Sequence, residues 1–352
     1  MQTIVLDDYN IYVGNIWEPL NNFLIQNSYS KFFIIVDEHT KQHCLPIFQY
    51  NTKLNKAVVI EIQSGEKHKN IHTCSFIWKQ MIDANADRKA LVINLGGGVI
   101  GDMGGFCAAT YKRGLDFIQI PTTLLSDVDS SIGGKLGIDF ADVKNSIGLF
   151  KNPRAVFIDP IFLKTLPERE IRSGFAEIIK HCLIADAGQW NQLKHIENVK
   201  DIDWEPLLIP SLEIKKRVVE EDPFEQNIRK TLNFGHTAGH AIESWALNSA
   251  HPLLHGEAIA AGMVCETYLS TRVTGFSEDA AKEVSSFILK IYGKYALKNE
   301  YFSELLHLMK NDKKNQEGKI NFTMLNAIGD AEIDQNCEES MVIEGLSYYS
   351  GL

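Results

Sequence analysis

Up to about residue 160, short apolar runs alternate with stretches of helical periodicity, and this alternation constrains the fold more than any single motif. Lys31–Asp37 (KFFIIVD), 57–62 (AVVIEI), 90–95 (ALVINL), 117–120 (FIQI) and 155–159 (AVFID) read as strands. They are rich in Val, Ile and Phe and bounded by Gly, Pro or charged residues. Between them, 71–84 and 101–111 carry apolar residues at helical spacing. Strands that alternate with helices build a largely parallel sheet covered on both faces. After residue 161 the texture changes: 162–185, 207–221, 229–245, 257–273, 277–292 and 301–309 read as helices with little strand signal between them. The expected architecture is an α/β, Rossmann-like N-terminal domain over 1–160 with a mainly parallel sheet, followed by an all-α domain over 161–352. A cleft between two such halves is a common place for a ligand.

Composition narrows the partners. Of 352 residues, 45% are hydrophobic and 23% charged, ordinary values for a globular protein with a sizeable core. A net charge of −10 argues against a nucleic-acid or anionic-membrane partner, since both demand a dominant basic surface. A small anionic substrate remains compatible, because a few cations gathered in one place outweigh a distant acidic surface. The six cysteines form no CxxC pair and read as reduced thiols of an intracellular protein. The N-terminus lacks the basic and apolar regions of a signal peptide, and no run approaches the roughly 20 apolar residues of a membrane-spanning helix. The expected location is cytoplasmic.

The stretch LGGGVIGDMGG, residues 95–105, follows an expected strand and opens an expected helix. Gly96, Gly98 and Gly101 satisfy G-x-G-x-x-G in the context that gives the pattern meaning: bare backbone approaches a pyrophosphate at a helix N-terminus. The plainer reading is a tight turn needing positive φ. In the dinucleotide fingerprint an acid ends the next strand, but here that strand runs into Pro121, Thr122 and Thr123. An earlier strand does end in an acid, Asp37, so a ribose contact from Asp37 requires a sheet wired differently from an ordinary Rossmann domain. Asp102, by itself, reads as a first-turn helix acid that complements the dipole.

Four of the eleven histidines, His236, His240, His251 and His255, fall between residues 233 and 257. His236 and His240 are four apart on an expected helix and share one face. A catalytic zinc usually takes three protein ligands and keeps one position open. HExxH is absent, which excludes the zincin pattern. His251, beside Pro252, reads as a bystander. A carboxylate partner is offered by AEIIK, residues 176–180: Glu177 and Lys180 lie three apart in an apolar segment, where two ionised groups need a reason to be present.

Taken in order, the motifs resemble those of the 3-dehydroquinate synthase family of sugar phosphate cyclases. They are GEKHK (65–69), GGGVIGD (96–102), YKRG (111–114), PTTLL (121–125), VDSSIGGK (128–135), Lys144-Asn145, Asp159-Pro160, TLP (165–167), AEIIK (176–180), RKTLNFGHTAGH (229–240) and HGE (255–257). The resemblance runs from about Asp37 to Gly329. It implies an NAD-binding N-terminal domain, a helical domain holding Zn2+ (with Co2+ as an alternative), and a homodimer. By motif position the metal ligands are Glu177, His236 and His255. The NAD contacts are Asp37, Glu66, Lys69, Gly97, Gly98, Val99, Asp102, Thr122, Thr123, Lys144, Phe162 and Thr165. The substrate contacts are Arg113, Asp129, Lys135, Asn145, Lys180, Lys215, Arg229, Asn233, His240 and a lysine of the pair Lys313/Lys314. Arg113 is implied to serve the partner subunit's site. His240 and Glu225 are implied to move protons, with Lys180 and Asp129 beside them in the catalytic set. Lys215, in EIKKR, reads equally as a solvated helix face. The segment Asp222–Arg229 lacks the glycine that the family more often has near Asn227.

The implied reaction converts 3-deoxy-D-arabino-heptulosonate 7-phosphate into 3-dehydroquinate and phosphate in the shikimate pathway of aromatic amino acid biosynthesis. Its implied steps are NAD-mediated oxidation, β-elimination of phosphate, reduction, ring opening and intramolecular aldol closure. Lys135, Asn145, Asn233, His240 and Arg113 are donors suited to a phosphate, and Arg229 can grip a carboxylate bidentately. The rival readings are another cyclase, such as 2-deoxy-scyllo-inosose synthase, a metal-dependent polyol dehydrogenase of the glycerol dehydrogenase type, and a non-catalytic relative. Arg229 and the intact Asn233–His236 motif favour a substrate bearing a carboxylate.

Overall fold

The computed structural model describes residues 1–352 apart from 53, 142, 248, 250 and 311–319. The chain divides into two compact units, Met1–Pro167 with Trp204–Lys216, and Glu168–Asp203 with Arg217–Leu352. The expected division lay at residue 160. It did not foresee that the first turns of one later helix belong to the first unit.

The first unit runs β1 (Gln2–Val5), β2 (Asn10–Val13), α1 (Trp17–Gln26), β3 (Lys31–Asp37), α2 (Glu38–His43), α3 (Leu45–Thr52), β4 (Val58–Ile62), α4 (Ile71–Asp83), β5 (Ala90–Gly96), α5 (Gly98–Thr110), β6 (Asp116–Pro121), β7 (Lys135–Phe140), β8 (Val143–Phe150) and β9 (Ala155–Ile158). Seven strands form one sheet in the order β1-β2-β9-β6-β5-β3-β4, parallel except for the β1–β2 pair. Every residue of β5 is buried, as a central strand covered on both faces requires. One face packs Phe33, Ile35, Val92 and Phe117 against α4 and α5. The other packs Ile34, Val36, Ile93 and Phe157 against α1 and α3. The alternation along β3 and β5 therefore feeds two separate cores.

β7 and β8 form an antiparallel hairpin outside the large sheet, and the sequence reading missed it. β8 is exposed along most of its length, so it lacks the apolar alternation that marks a strand.

The second unit contains α6 (Glu168–Ala185), α7 (Ala187–Leu193), the end of α8 (Glu205–Glu221), α9 (His236–Ala246), α10 (His255–Val273), α11 (Glu278–Tyr292), α12 (Phe302–Lys310), the hairpin β10 (Asn321–Ala327) and β11 (Asp330–Asn336), and α13 (Glu339–Gly351). It is helical as expected, with a hairpin that an all-α domain omits. α10 is buried nearly all round, from Gly256 to Ser270, and so forms the unit's centre. The expected helix 229–245 is broken. A 3-10 turn covers Ile228–Asn233, Gly235 takes a left-handed φ of 78°, and α9 starts afresh at His236. The expected helix 162–185 is also broken: Pro160–Thr165 is a 3-10 turn and α6 begins after Pro167.

One feature of the first unit predicts a pH-dependent stability. Asp127 is 1% exposed, and neither carboxylate oxygen has a hydrogen-bond partner. Burial, with Asp159 nearby, pushes its carboxyl well above the usual range. A folded-state pKa above the unfolded one means the folded chain binds more protons, so stability falls as pH rises past the ordinary carboxylate value of 3.8. Asp127→Asn removes the group that must stay protonated or be desolvated as a charge, and should therefore stabilise the chain at pH 7. The gain should disappear near pH 4, as read by denaturant unfolding at both pH values. An equal gain at both would contradict the assignment.

Candidate functional site

In the first unit the glycine turn lies where the central strand hands over to a helix. Gly97 is the N-cap of α5 and supplies no side-chain cap, so the first-turn N–H groups are left for another acceptor. A Cβ on Gly98 would stand 2.9 Å from Ser130 Oγ, and one on Gly97 3.0 Å from Thr123 Cγ2. A side chain at either position would therefore have to displace its neighbour. β3 pairs in parallel with β5, which brings the end of β3, Asp37, beside the turn. Asp37 thus ends a neighbouring strand that precedes the glycines in sequence, the sheet wiring that a ribose contact from it would require. Asp37 also caps α2, its Oδ1 accepting from Thr40 N at 2.7 Å. Thr122 N bonds Gly96 O at 3.2 Å, and the Thr123 hydroxyl meets Ser126 Oγ at 2.8 Å.

Lys69, Asp102 and Asn145 converge. Lys69 Nζ, on a side chain only 4% exposed, donates to Asp102 Oδ2 at 2.6 Å and Asn145 Oδ1 at 2.7 Å, with Glu66 at 3.8 Å. Burial opposes the ammonium charge, but Asp102 and Glu66 outweigh it and raise its pKa. Burial pushes the Asp102 carboxyl up to about 6 against the pull of Lys69. The first-turn reading of Asp102 is corrected: α5 begins at Gly98, and Asp102 sits in its second turn as an ion-pair partner. Lys215 is not on a solvated face; it is buried and ion-paired with Asp129.

Other expected contacts are more dispersed. Val99 lies in the first turn of α5, and Lys135 and Lys144 are exposed residues of the β7–β8 hairpin. Arg113 is exposed with a positive φ of 71°. Phe162 is buried, with its ring in the core edge-on to Trp17. Thr165 is exposed at the end of the 3-10 turn. Lys313 and Lys314 lie outside the described residues.

In the second unit three helices bring the imidazoles and a carboxylate together. α6 and α10 touch at backbone level: a Cβ on Gly256 would fall 1.9 Å from Ser173 O, and Gly256 N donates to Ser173 Oγ at 3.0 Å. Glu177 lies one turn beyond Ser173, and His255 is adjacent to Gly256. α9 meets α10 equally closely, since a Cβ on Gly262 would stand 2.0 Å from Gly235 O. The buried Glu266 on α10 accepts from Gly235 N at 2.6 Å and Ala238 N at 3.0 Å, capping the start of α9. This fixes where His236 begins its helix.

Glu177 Oε1 is buried without a hydrogen-bond partner, 3.7 Å from His236 Nε2 and 3.8 Å from His255 Nε2. His236 Nδ1 lies 3.1 Å from Phe234 O, a carbonyl that can only accept. In the tautomer with its proton on Nδ1, the ring turns its Nε2 lone pair towards Glu177. A cation held between that lone pair and the carboxylate oxygen would satisfy both. Ligand bonds of about 2.0–2.2 Å from one ion would span such separations. Two imidazoles and one carboxylate are the donor set of a catalytic divalent metal, and these residues fit one. Lys180 is buried beside Glu177 and ion-paired with it, not an exposed surface pair. His240 completes the ring cluster, 5.2 Å from His236 and 5.8 Å from His255, and remains partly exposed. His251 stands outside the metal-capable groups found among the described residues.

Next to this cluster, the segment Asp222–Asn233 wraps around one carboxylate. Asp222 accepts from the backbone N–H groups of Gln226, Asn227 and Arg229 at 2.9, 2.6 and 3.1 Å. Burial opposes its charge, but these amides outweigh it and lower its pKa. The positive φ that a glycine would favour is taken by Glu225, at 60°. Its carboxylate accepts from Asn233 Nδ2 at 2.9 Å. Arg229 is 2% exposed and donates from Nη1 to Pro223 O at 2.6 Å. Sequence reading missed Asp222, Glu243 and Glu266, because a carboxylate that serves distant backbone or ring groups leaves no local pattern.

Comparison with known proteins agrees with these motifs. Residues 59–173 match the family model described as 3-dehydroquinate synthase N-terminal, and 174–315 the one described as 3-dehydroquinate synthase C-terminal. The 3-dehydroquinate synthase of Parabacteroides distasonis is 42% identical over 332 residues, 94% of each chain. That of Dictyoglomus thermophilum is 41% identical, covering 97% of this chain and 96% of the relative. Among solved structures, 2-deoxy-scyllo-inosose synthase with carbaglucose-6-phosphate, NAD+ and Co2+ superposes with a TM-score of 0.86 at 22% identity, over 98% of both chains. The 2-epi-5-epi-valiolone synthase of Streptomyces hygroscopicus with NAD+ and Zn2+ gives 0.85 at 22%, over 100% of this chain and 99% of that one. A probable glycerol dehydrogenase from Sinorhizobium meliloti gives 0.61 at 13%, covering 99% and 98%. At these identities the structural likeness establishes the fold.

Proposed function

This chain belongs to the 3-dehydroquinate synthase family, and we propose that it carries out the family's reaction with NAD and a bound divalent metal, Zn2+ or Co2+, as a cytoplasmic homodimer. The activity is that of a 3-dehydroquinate synthase, a phosphorus–oxygen lyase that turns 3-deoxy-D-arabino-heptulosonate 7-phosphate into 3-dehydroquinate and phosphate. The observation that carries the metal reading is the orphaned, buried Glu177 Oε1 facing two imidazole nitrogens. When bound, NAD accepts and returns a hydride, and the metal polarises substrate hydroxyls as a Lewis acid.

The chain's own residues do the rest. Glu177, His236 and His255 hold the metal, with Lys180 ion-paired to the Glu177 carboxylate. Asp37 takes the ribose end of the nucleotide, and Gly97, Gly98 and Val99 offer backbone to its phosphates, with Glu66, Lys69, Asp102, Thr122, Thr123, Lys144, Phe162 and Thr165 completing the contacts. Arg229, held by the Pro223 carbonyl, is oriented for the substrate carboxylate. Lys135, Asn145, Asn233 and Arg113 of the partner subunit grip the phosphate. Asp129 and Lys215, joined as an ion pair, bind hydroxyls. His240, partly exposed and packed on both metal-ligand rings, moves protons at its imidazole nitrogens, with Glu225 as a second carrier. The β7–β8 hairpin exposes Phe140, Val143, Ile147 and Phe150, an apolar surface suited to a second copy of the chain. Among the described residues no helix is long and apolar enough to cross a membrane.

The proposal is tested by metal removal. Dialysis against a chelator should abolish turnover, and one equivalent of Zn2+ or Co2+ per chain should restore it. Full activity in a demonstrably metal-free chain would overturn the proposal.

A further inference from the structure

His255 lies between two carboxylates. Its Nε2 is 3.8 Å from Glu177 Oε1, and its Nδ1 is 3.3 Å from Oε2 of Glu243. Glu243 lies on α9, seven residues after His236 and three after His240, so the helix aims all three at the same face. Its side chain is 12% exposed, and a carboxylate so placed needs a partner that gains from its charge.

We propose that Glu243 is a positioning residue for the metal site: by accepting the Nδ1 proton of His255 it fixes the tautomer that turns Nε2 towards Glu177 and makes that nitrogen a stronger donor. His236 is held in the same tautomer by the carbonyl of Phe234, a neutral acceptor. The two imidazoles are thus oriented by different groups, one by a dipole and one by a full charge. An imidazole backed by a carboxylate binds a cation more tightly than one backed by a carbonyl, and removal of such a partner typically costs about 10–100-fold in metal affinity. Glu243 is distinct in role from His240, which it follows by one turn: one acts through His255, while the other is placed for proton transfer.

The inference rests on the metal reading of Glu177, His236 and His255, and its test separates the two. Zn2+ affinity of the full chain is measured by competition with a chelator, for the parent, Glu243→Gln and Glu243→Ala, and unfolding midpoints are measured on the metal-stripped proteins. The expected order is parent, then Gln, then Ala. Ala should be weaker by about 10–100-fold, and Gln intermediate because its amide oxygen still accepts at the same reach. The stripped proteins should share one unfolding midpoint. A parent that binds no stoichiometric metal sinks the metal reading itself. A parent that binds one equivalent, with Glu243→Ala binding as tightly, overturns the role of Glu243 alone. So does a loss of affinity matched by destabilisation of the stripped protein. A parent that binds two equivalents of Co2+ per chain, with Glu243→Ala losing one and keeping the other at full strength, would make Glu243 a direct ligand and also overturn it.

Discussion

Glu177→Gln should lose its metal and its activity together, whereas His240→Ala should keep the metal and lose rate. The carboxylate supplies the one anionic donor among the three ligands, and its Oε1 is buried with no hydrogen-bond partner. An amide there has lost the charge and points either a weak oxygen or an N–H at two imidazole lone pairs. Lys180, buried at its side, would also lose its counter-charge. Turnover should fall on the order of 10³-fold or more, as expected when a preorganised electrostatic stabiliser is removed. His240 packs against both metal-ligand rings and is assigned to proton transfer, so its loss should cost about 10²–10⁴-fold in rate, the usual range for a general acid or base. Metal content per chain, measured beside the rate, checks both. If His240→Ala empties the site, the sorting of the two helical histidines is wrong.

Gly256→Ala should be nearly as damaging, although it removes nothing that touches a ligand. The added Cβ would stand 1.9 Å from the carbonyl oxygen of Ser173 and within 2.6 Å of its Cα. These are backbone atoms and cannot rotate aside, so α6 and α10 must separate. Overpacking of this kind costs about 3 kcal/mol. The separation falls where Glu177, one turn along α6, must meet His255, and a misplacement of about 1 Å costs on the order of 10²-fold in rate. Thermal unfolding and metal affinity should both fall. Ser173→Ala removes only the hydroxyl that accepts from Gly256 N and should spare most of both. Unchanged metal affinity in Gly256→Ala would contradict the view that this contact aligns the ligands.

The parts of the fold legible in the sequence are those where one local pattern decides. β3, β5, β6 and β9 are largely apolar runs buried on both faces, and helices such as α4 and α11 carry an apolar stripe at helical spacing. β11 reads DAEIDQN and β8 is exposed along most of its length, so neither carries a pattern that a chain search can see. The breaks at Pro167 and Gly235 were written in the sequence but were overridden by helical periodicity on both sides. In the site, spacing alone would have paired His236 with His240. The carboxylate that faces His236 and His255 lies nearly sixty residues earlier, and only the order of motifs pointed to it. The capping of α9 by Glu266, the knot around Asp222 and the backing of His255 by Glu243 depend on tertiary proximity. No spacing rule connects an acid with an amide 28 or 31 residues away. The neighbours Lys215 and Lys216 show the same limit, since only the helix register decides that the first of them is buried against Asp129.

The central claim is that the chain releases phosphate from a heptulosonate phosphate while NAD is returned unchanged. The direct measurement follows phosphate, 3-dehydroquinate and NADH absorbance together, with 3-deoxy-D-arabino-heptulosonate 7-phosphate, Zn2+ and NAD at a small fraction of the substrate concentration. Phosphate and 3-dehydroquinate should appear one for one, far beyond the amount of NAD present, with no net rise in NADH. Steady accumulation of NADH without phosphate release would contradict the account and place the chain with the polyol dehydrogenases that share its fold.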